Sequence, residues 1–128
     1  MKEPVFLGLD EVIEIHNDQI KRYGGHAGIR DIGLLKSAIA MPAACFSGDY
    51  LHTDIYEMAA AYLLQIARNH PFMDGNKRTG LLAALVFLDI NGVEVDAPKG
   101  SLYDLTMAVA TGQAGKKEVA EFFRRLAR

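Results

Sequence analysis

The chain has 128 residues, half of them apolar and 23% charged, with a formal net charge of −2. That length suits one domain over residues 1–128 with its own core, and the balance excludes a disordered chain and a general nucleic-acid binder, which would be basic. A single cysteine, Cys45, excludes an internal disulfide. The start, "KEPVFLGLDEV", lacks the apolar stretch of a signal peptide. The longest apolar run, Leu81 to Leu88, falls short of the roughly 18 residues a membrane span needs. A cytoplasmic protein without membrane or direct nucleic-acid contacts is the expectation.

Leu9, Val12, Ile13, His16, Ile20 and Tyr23 recur at steps of three and four, which predicts an amphipathic helix over 9–23, stopped by Gly24-Gly25. His16, on its apolar face, reads as a packed structural residue. Asp31 caps a second helix with Leu34, Leu35, Ala38 and Ile39 inward, ending at Pro42. Residues 42–53 show no period and read as a loop or small hairpin. Asp54 with Glu57 resembles a capping box for a third helix running to about Asn69, apolar enough for a central position. A fourth helix runs from near Asn76 to Asn91-Gly92. After an extended "VEVD", Ser101 caps a fifth helix over 102–111, and a sixth follows over 116–127 with Val119, Phe122, Phe123 and Leu126 inward. Lys116 and Lys117 read as solvated. Six helices with almost no strand make an all-α fold.

Between the third and fourth helices lies "NHPFMDGNKRTG". A turn needs only its Pro and Gly, so its other polar groups call for a separate explanation. Asn76, Lys77 and Arg78 occupy the first turn of the fourth helix, where free N–H groups and the dipole attract anions. Gly75 allows close approach to the backbone. Asp74 repels a bare phosphate but suits one bridged by magnesium. His70 can take a proton from an incoming hydroxyl. Singly, each has a plainer reading: a helix-end histidine is usually structural, a Lys-Arg pair a solvated face, an Asp-Gly pair a turn. Their concentration between two core helices points to phosphate transfer. No Walker loop, zinc-ligand pair or Gly-x-Ser-x-Gly elbow competes with it.

The segment "HPFMDGNKRTG" resembles the Fic/Doc motif, His-x-Phe-x-Asp/Glu-Gly/Ala-Asn-Gly/Lys-Arg, at His70, Phe72, Asp74, Gly75, Asn76 and Arg78. "EIHNDQIKRYGGHAGIRD", "FLDINGVEV" and "AVATGQ…VAEFFRRL" are similar to the Doc (death-on-curing) toxin branch, so the resemblance covers nearly the whole chain. Pro71 and Gly75 look like the Fic side, whereas Lys77 and Leu81 stand where Fic-type AMP transferases carry Gly and a second Arg. Leu82 departs from the Doc pattern, which has a polar residue there.

The resemblance implies a compact six-helix fold with the motif loop between two central helices. It implies a toxin of a type II toxin–antitoxin module, a protein Ser/Thr kinase using ATP or another nucleoside triphosphate with Mg2+. The expected target is a threonine of elongation factor Tu, and translation would stop. In this reading His70 is the general base, Asp74 holds the metal, and Gly75, Asn76, Lys77 and Arg78 bind the transferring phosphoryl group, with Lys77 also catalytic. The alternatives are an AMP transferase and a catalytically silent antitoxin-binding module. Self-restrained Fic proteins plug the site with Ser/Thr-x-x-x-Glu followed by Gly or Asn. Here Thr53 to Glu57 is followed by Met58, so restraint is expected from an antitoxin whose disordered segment folds as a helix into a groove.

Overall fold

The computed structural model describes residues 3–128. Six helices carry the architecture: α1 (Leu9–Tyr23), α2 (Ile32–Ala40), α3 (Ile55–Asn69), α4 (Asn76–Ile90), α5 (Ser101–Ala110) and α6 (Lys116–Arg125). The fold is all-α, as the periodicity predicts. Its only sheet among the described residues is a two-stranded hairpin, β1 (Cys45–Phe46) and β2 (Asp49–Tyr50). Ser47 and Gly48 both take positive φ at its tip, the backbone a two-residue hairpin turn demands.

α3 is the central element, packed against α4 above all and also against α2, α5 and α6. Its buried side chains, Met58, Tyr62, Leu63 and Ile66 among them, face several neighbours at once, which is why its sequence leaves little polar face. With Phe72, Phe87 and Phe123 they form the core, each such side chain worth about 1.5–3 kcal/mol when fully buried. At Gly80 the two helix backbones approach closely. A Cβ there would lie 3.1 Å from the Leu63 carbonyl oxygen and 3.3 Å from the Ala67 nitrogen.

The helix ends depart from the sequence expectations in four places. Gly100, not Ser101, is the N-cap of α5: its left-handed backbone starts the helix one residue early, and the Ser101 hydroxyl donates to the Pro98 carbonyl at 2.6 Å. α6 stops at Arg125 because Ala127 is drawn into a bridge with Val95, the extended segment foreseen before α5. Asp54 caps α3 by accepting the Glu57 N–H at 2.8 Å, but the reciprocal half is displaced. The Glu57 carboxylate takes the Thr53 N–H and hydroxyl, both at 3.1 Å, instead of the N–H of the cap residue. Lys116 is not simply solvated, since its ammonium lies 3.3 Å from Glu57 and 3.4 Å from His52 Nδ1.

Candidate active site

The loop between α3 and α4 is shaped by both of its ends. His70 ends α3 in the left-handed conformation, φ 51° and ψ 56°, which costs a residue with a side chain about 1–3 kcal/mol and is held only by strong surroundings. Those surroundings come from the segment joining α1 to α2. Arg30 donates from Nε to the His70 carbonyl at 2.6 Å and from Nη2 to the Asn69 carbonyl at 2.9 Å, a cation set on the negative end of a helix. The backbones also pair: Arg30 and Asp31 donate to the Pro71 carbonyl and Met73 donates to Gly28. Phe72 is buried, and the Asn76 side chain closes the loop over it, accepting the Phe72 N–H at 3.0 Å and donating to its carbonyl at 3.1 Å.

α4 then begins without a side-chain cap and without an acid in its first turn. Among the described residues the N–H groups of Asn76, Lys77 and Arg78 meet no acceptor, and the Lys77 and Arg78 side chains are exposed. Arg78 lies over the Tyr23 ring, 5.1 Å from its centroid. Asp74 stands just before this turn. Its Oδ1 accepts the Gly75 N–H at 2.8 Å and its Oδ2 the His26 N–H at 3.2 Å. The Gly75 bond first, then the His26 bond, holds this carboxyl below the usual carboxylate range. Each oxygen keeps a free lone pair.

No group of three His, Cys, Asp or Glu side chains that could hold a metal occurs among the described residues. One carboxylate shared with phosphate oxygens nevertheless matches magnesium, which keeps several waters and binds through one or two carboxylates plus substrate phosphates. The cleft in front of the turn measures about 480 Å³ and runs from Asp74–Arg78 to an apolar wall of Leu81, Tyr103 and Met107.

The structure thus gathers Asp74, Gly75, Asn76, Lys77 and Arg78 along one cleft. His70, exposed at the other end of the loop, is not among its lining residues. Asn76 reaches the cleft through its backbone, since its amide is engaged by Phe72. His16 is packed, as read from the sequence, and also meets the Asp74 carbonyl through Nε2. Sequence reasoning missed Gly25, His26 and Arg30 on the α1–α2 segment and Tyr103 and Met107 on α5. Gly25 carried a signal: beyond the helix stop that Gly24 already provides, it takes φ 115°, and a Cβ on it would sit 2.6 Å from Asp74 Oδ2.

The Fic/DOC family model matches residues 6–88. Over 118 residues the chain is 43% identical to "Protein kinase doc" of Escherichia phage P1, covering 91% of each protein. Over 100 residues it is 41% identical to "Toxin Doc" of Mycolicibacterium smegmatis (strain ATCC 700084 / mc(2)155), covering 77% of each.

Proposed function

Because the chain belongs to the Fic/DOC family, we propose that it is a toxin of a toxin–antitoxin module, acting as a protein kinase with ATP. Its acceptor is a hydroxyl of a translation factor, a threonine of elongation factor Tu in the first instance, and it works in the cytoplasm as one functional unit spanning 1–128. The observation that carries this is the uncapped first turn of α4, with two exposed cations beside a fixed carboxylate. Such a turn holds three phosphate oxygens through backbone amides while Lys77 and Arg78 neutralise their charge.

Phosphoryl transfer relies mostly on positioning and charge, because the bond changes need little covalent help. The amides of residues 76–78 would hold the γ-phosphate, and the apolar wall with Tyr103 and Met107 would receive the nucleotide base. The acceptor oxygen forms its bond to phosphorus as the bond to the β-phosphate oxygen breaks, and ADP leaves. The hydroxyl proton passes to the His70 imidazole, for which a left-handed backbone at the loop's entry leaves the side chain exposed. Asp74 would hold magnesium, which shields the charge that grows on the leaving phosphate. Leu81 places an apolar group in the cleft where AMP transfer would need another cation for the outer phosphates.

Restraint comes from an antitoxin. The Glu57 carboxylate is occupied by Thr53 and Lys116, which supports an inhibitor supplied by another chain. The deciding experiment offers cell extract ATP labelled at either the γ- or the α-phosphate. Only the γ label is expected on a protein band. An α label alone would make the chain an AMP transferase, and neither label would leave a binding module.

A further inference from the structure

His16 takes no part in the chemistry above, yet it touches the motif loop across 58 positions of sequence. The side chain is 1% exposed. Its ring lies flat on Phe72, with centroids 3.8 Å apart and planes 5° from parallel, and its Nε2 stands 2.7 Å from the Asp74 carbonyl oxygen. A carbonyl only accepts, so Nε2 carries the hydrogen and donates it.

That carbonyl belongs to the peptide joining Asp74 to Gly75. In a planar trans peptide the N–H points away from the C=O. Drawing the oxygen toward α1 therefore turns the Gly75 N–H outward, where it meets Asp74 Oδ1 at 2.8 Å. The Gly75 carbonyl in turn accepts the Thr79 N–H at 3.0 Å as α4 starts. One imidazole hydrogen bond thus sets the carboxylate and the direction of the free amides that follow.

We propose that His16 is a positioning residue for phosphate transfer, orienting the 74–75 peptide and through it the Asp74 carboxylate and the amides of residues 76–78. The proposal rests on the kinase reading. Its rival is packing alone, in which the ring matters and the hydrogen bond does not.

Two substitutions separate them. His16→Gln keeps a side-chain N–H near the Nε2 position and removes the ring. His16→Phe keeps a flat ring against Phe72 and removes the donor. Donation predicts that His16→Gln stays within about threefold of wild type in γ-phosphate transfer. His16→Phe should lose about ten- to a hundredfold, the scale seen when a group supporting a metal ligand is removed. It should also need more Mg2+ for half-maximal rate, at a melting temperature no lower than that of His16→Gln. A readout independent of activity is the 15N spectrum of the wild-type imidazole, expected to show hydrogen on Nε2 and slow exchange there.

Equal activity of His16→Phe and wild type, a ranking in which Phe outperforms Gln, or an unprotonated Nε2 would overturn the proposal. Should His16→Phe not fold, His16→Gln decides: a loss of more than about tenfold in γ-phosphate transfer, with the donor kept and only the ring removed, would overturn the proposal. A wild type that transfers no γ-phosphate would sink the kinase reading instead. The proposal is then judged by amide exchange at Gly75 and Asn76, which must quicken in His16→Phe and not in His16→Gln.

Discussion

The starts of α3 and α4, the two helices most closely packed together, solve the same electrostatic problem in opposite ways. At α3 the chain supplies its own anions: Asp54 accepts a first-turn N–H, Glu57 closes on Thr53, and α6 answers with Arg124 at 2.7 Å from Asp54 and Lys116 at 3.3 Å from Glu57. The charges there are satisfied from within. At α4 a left-handed glycine replaces the cap, and cations replace the acids. A helix start that carries its own anion is a joint, and one that withholds it is a receptor.

The strongest way to break this contrast is at the receptor's chemistry. His70→Ala should lower phosphate transfer by about a hundredfold to ten-thousandfold, as loss of a general base does. It should also relieve growth arrest while leaving the melting temperature within a few degrees. A variant as toxic as wild type would remove His70 from the reaction. A smaller effect is expected from the segment behind Asp74. Gly25→Ala places a methyl 2.6 Å from Asp74 Oδ2, too close for the carboxylate to stay in place, whereas Gly24→Ala shares a positive φ but meets nothing within 4 Å. Both should lose stability through backbone strain, by about 1 kcal/mol or more. Only Gly25→Ala should add a loss of activity, about tenfold to a hundredfold; equal activities would detach Asp74 from the site.

At the α3 end the result should be reversed. Asp54→Ala should cost about 0.5–2 kcal/mol of stability in denaturant titration and leave specific activity unchanged. The subtlest test is by titration. The Asp74 carboxyl lies below its ordinary value in the folded protein. Its ionised form therefore favours the fold fully above the ordinary value of about 3.9, and that contribution fades as pH falls through the lower folded midpoint. A 13C titration of Asp74 should show this depressed midpoint in wild type and a rise toward the ordinary value in Gly25→Ala.

The six helices were legible because apolar periodicity and local caps are written within a few neighbouring residues, as at Asp31, whose carboxylate accepts the Leu34 N–H. Their last turns were less so. Whether α6 continues past Arg125 depends on Val95 pairing with Ala127, a contact invisible in either segment alone. Asp74–Arg78 could be singled out together because the loop concentrates their side chains, and the structure sets them along one cleft. Arg30 and the His26 N–H were missed for the opposite reason. They act on backbone carbonyls and a carboxylate 39 to 48 positions away, and nothing in "GGHAGIRD" specifies that partner. Lys116 was misread because a charged pair in a sequence does not reveal the half-buried Glu57 across from it.

Gly80 has a consequence for engineering. With the Leu63 carbonyl only 3.1 Å from where its Cβ would be, the two helices sit too close to slide past a bulkier residue, and the span from His70 to the start of α4 is gauged by that seam as much as by the loop. A redesign of nucleotide preference should therefore treat the seam as fixed tooling. Diversity is better introduced along the wall formed by Leu81, Tyr103 and Met107, where side chains can change size without shifting the α3–α4 seam.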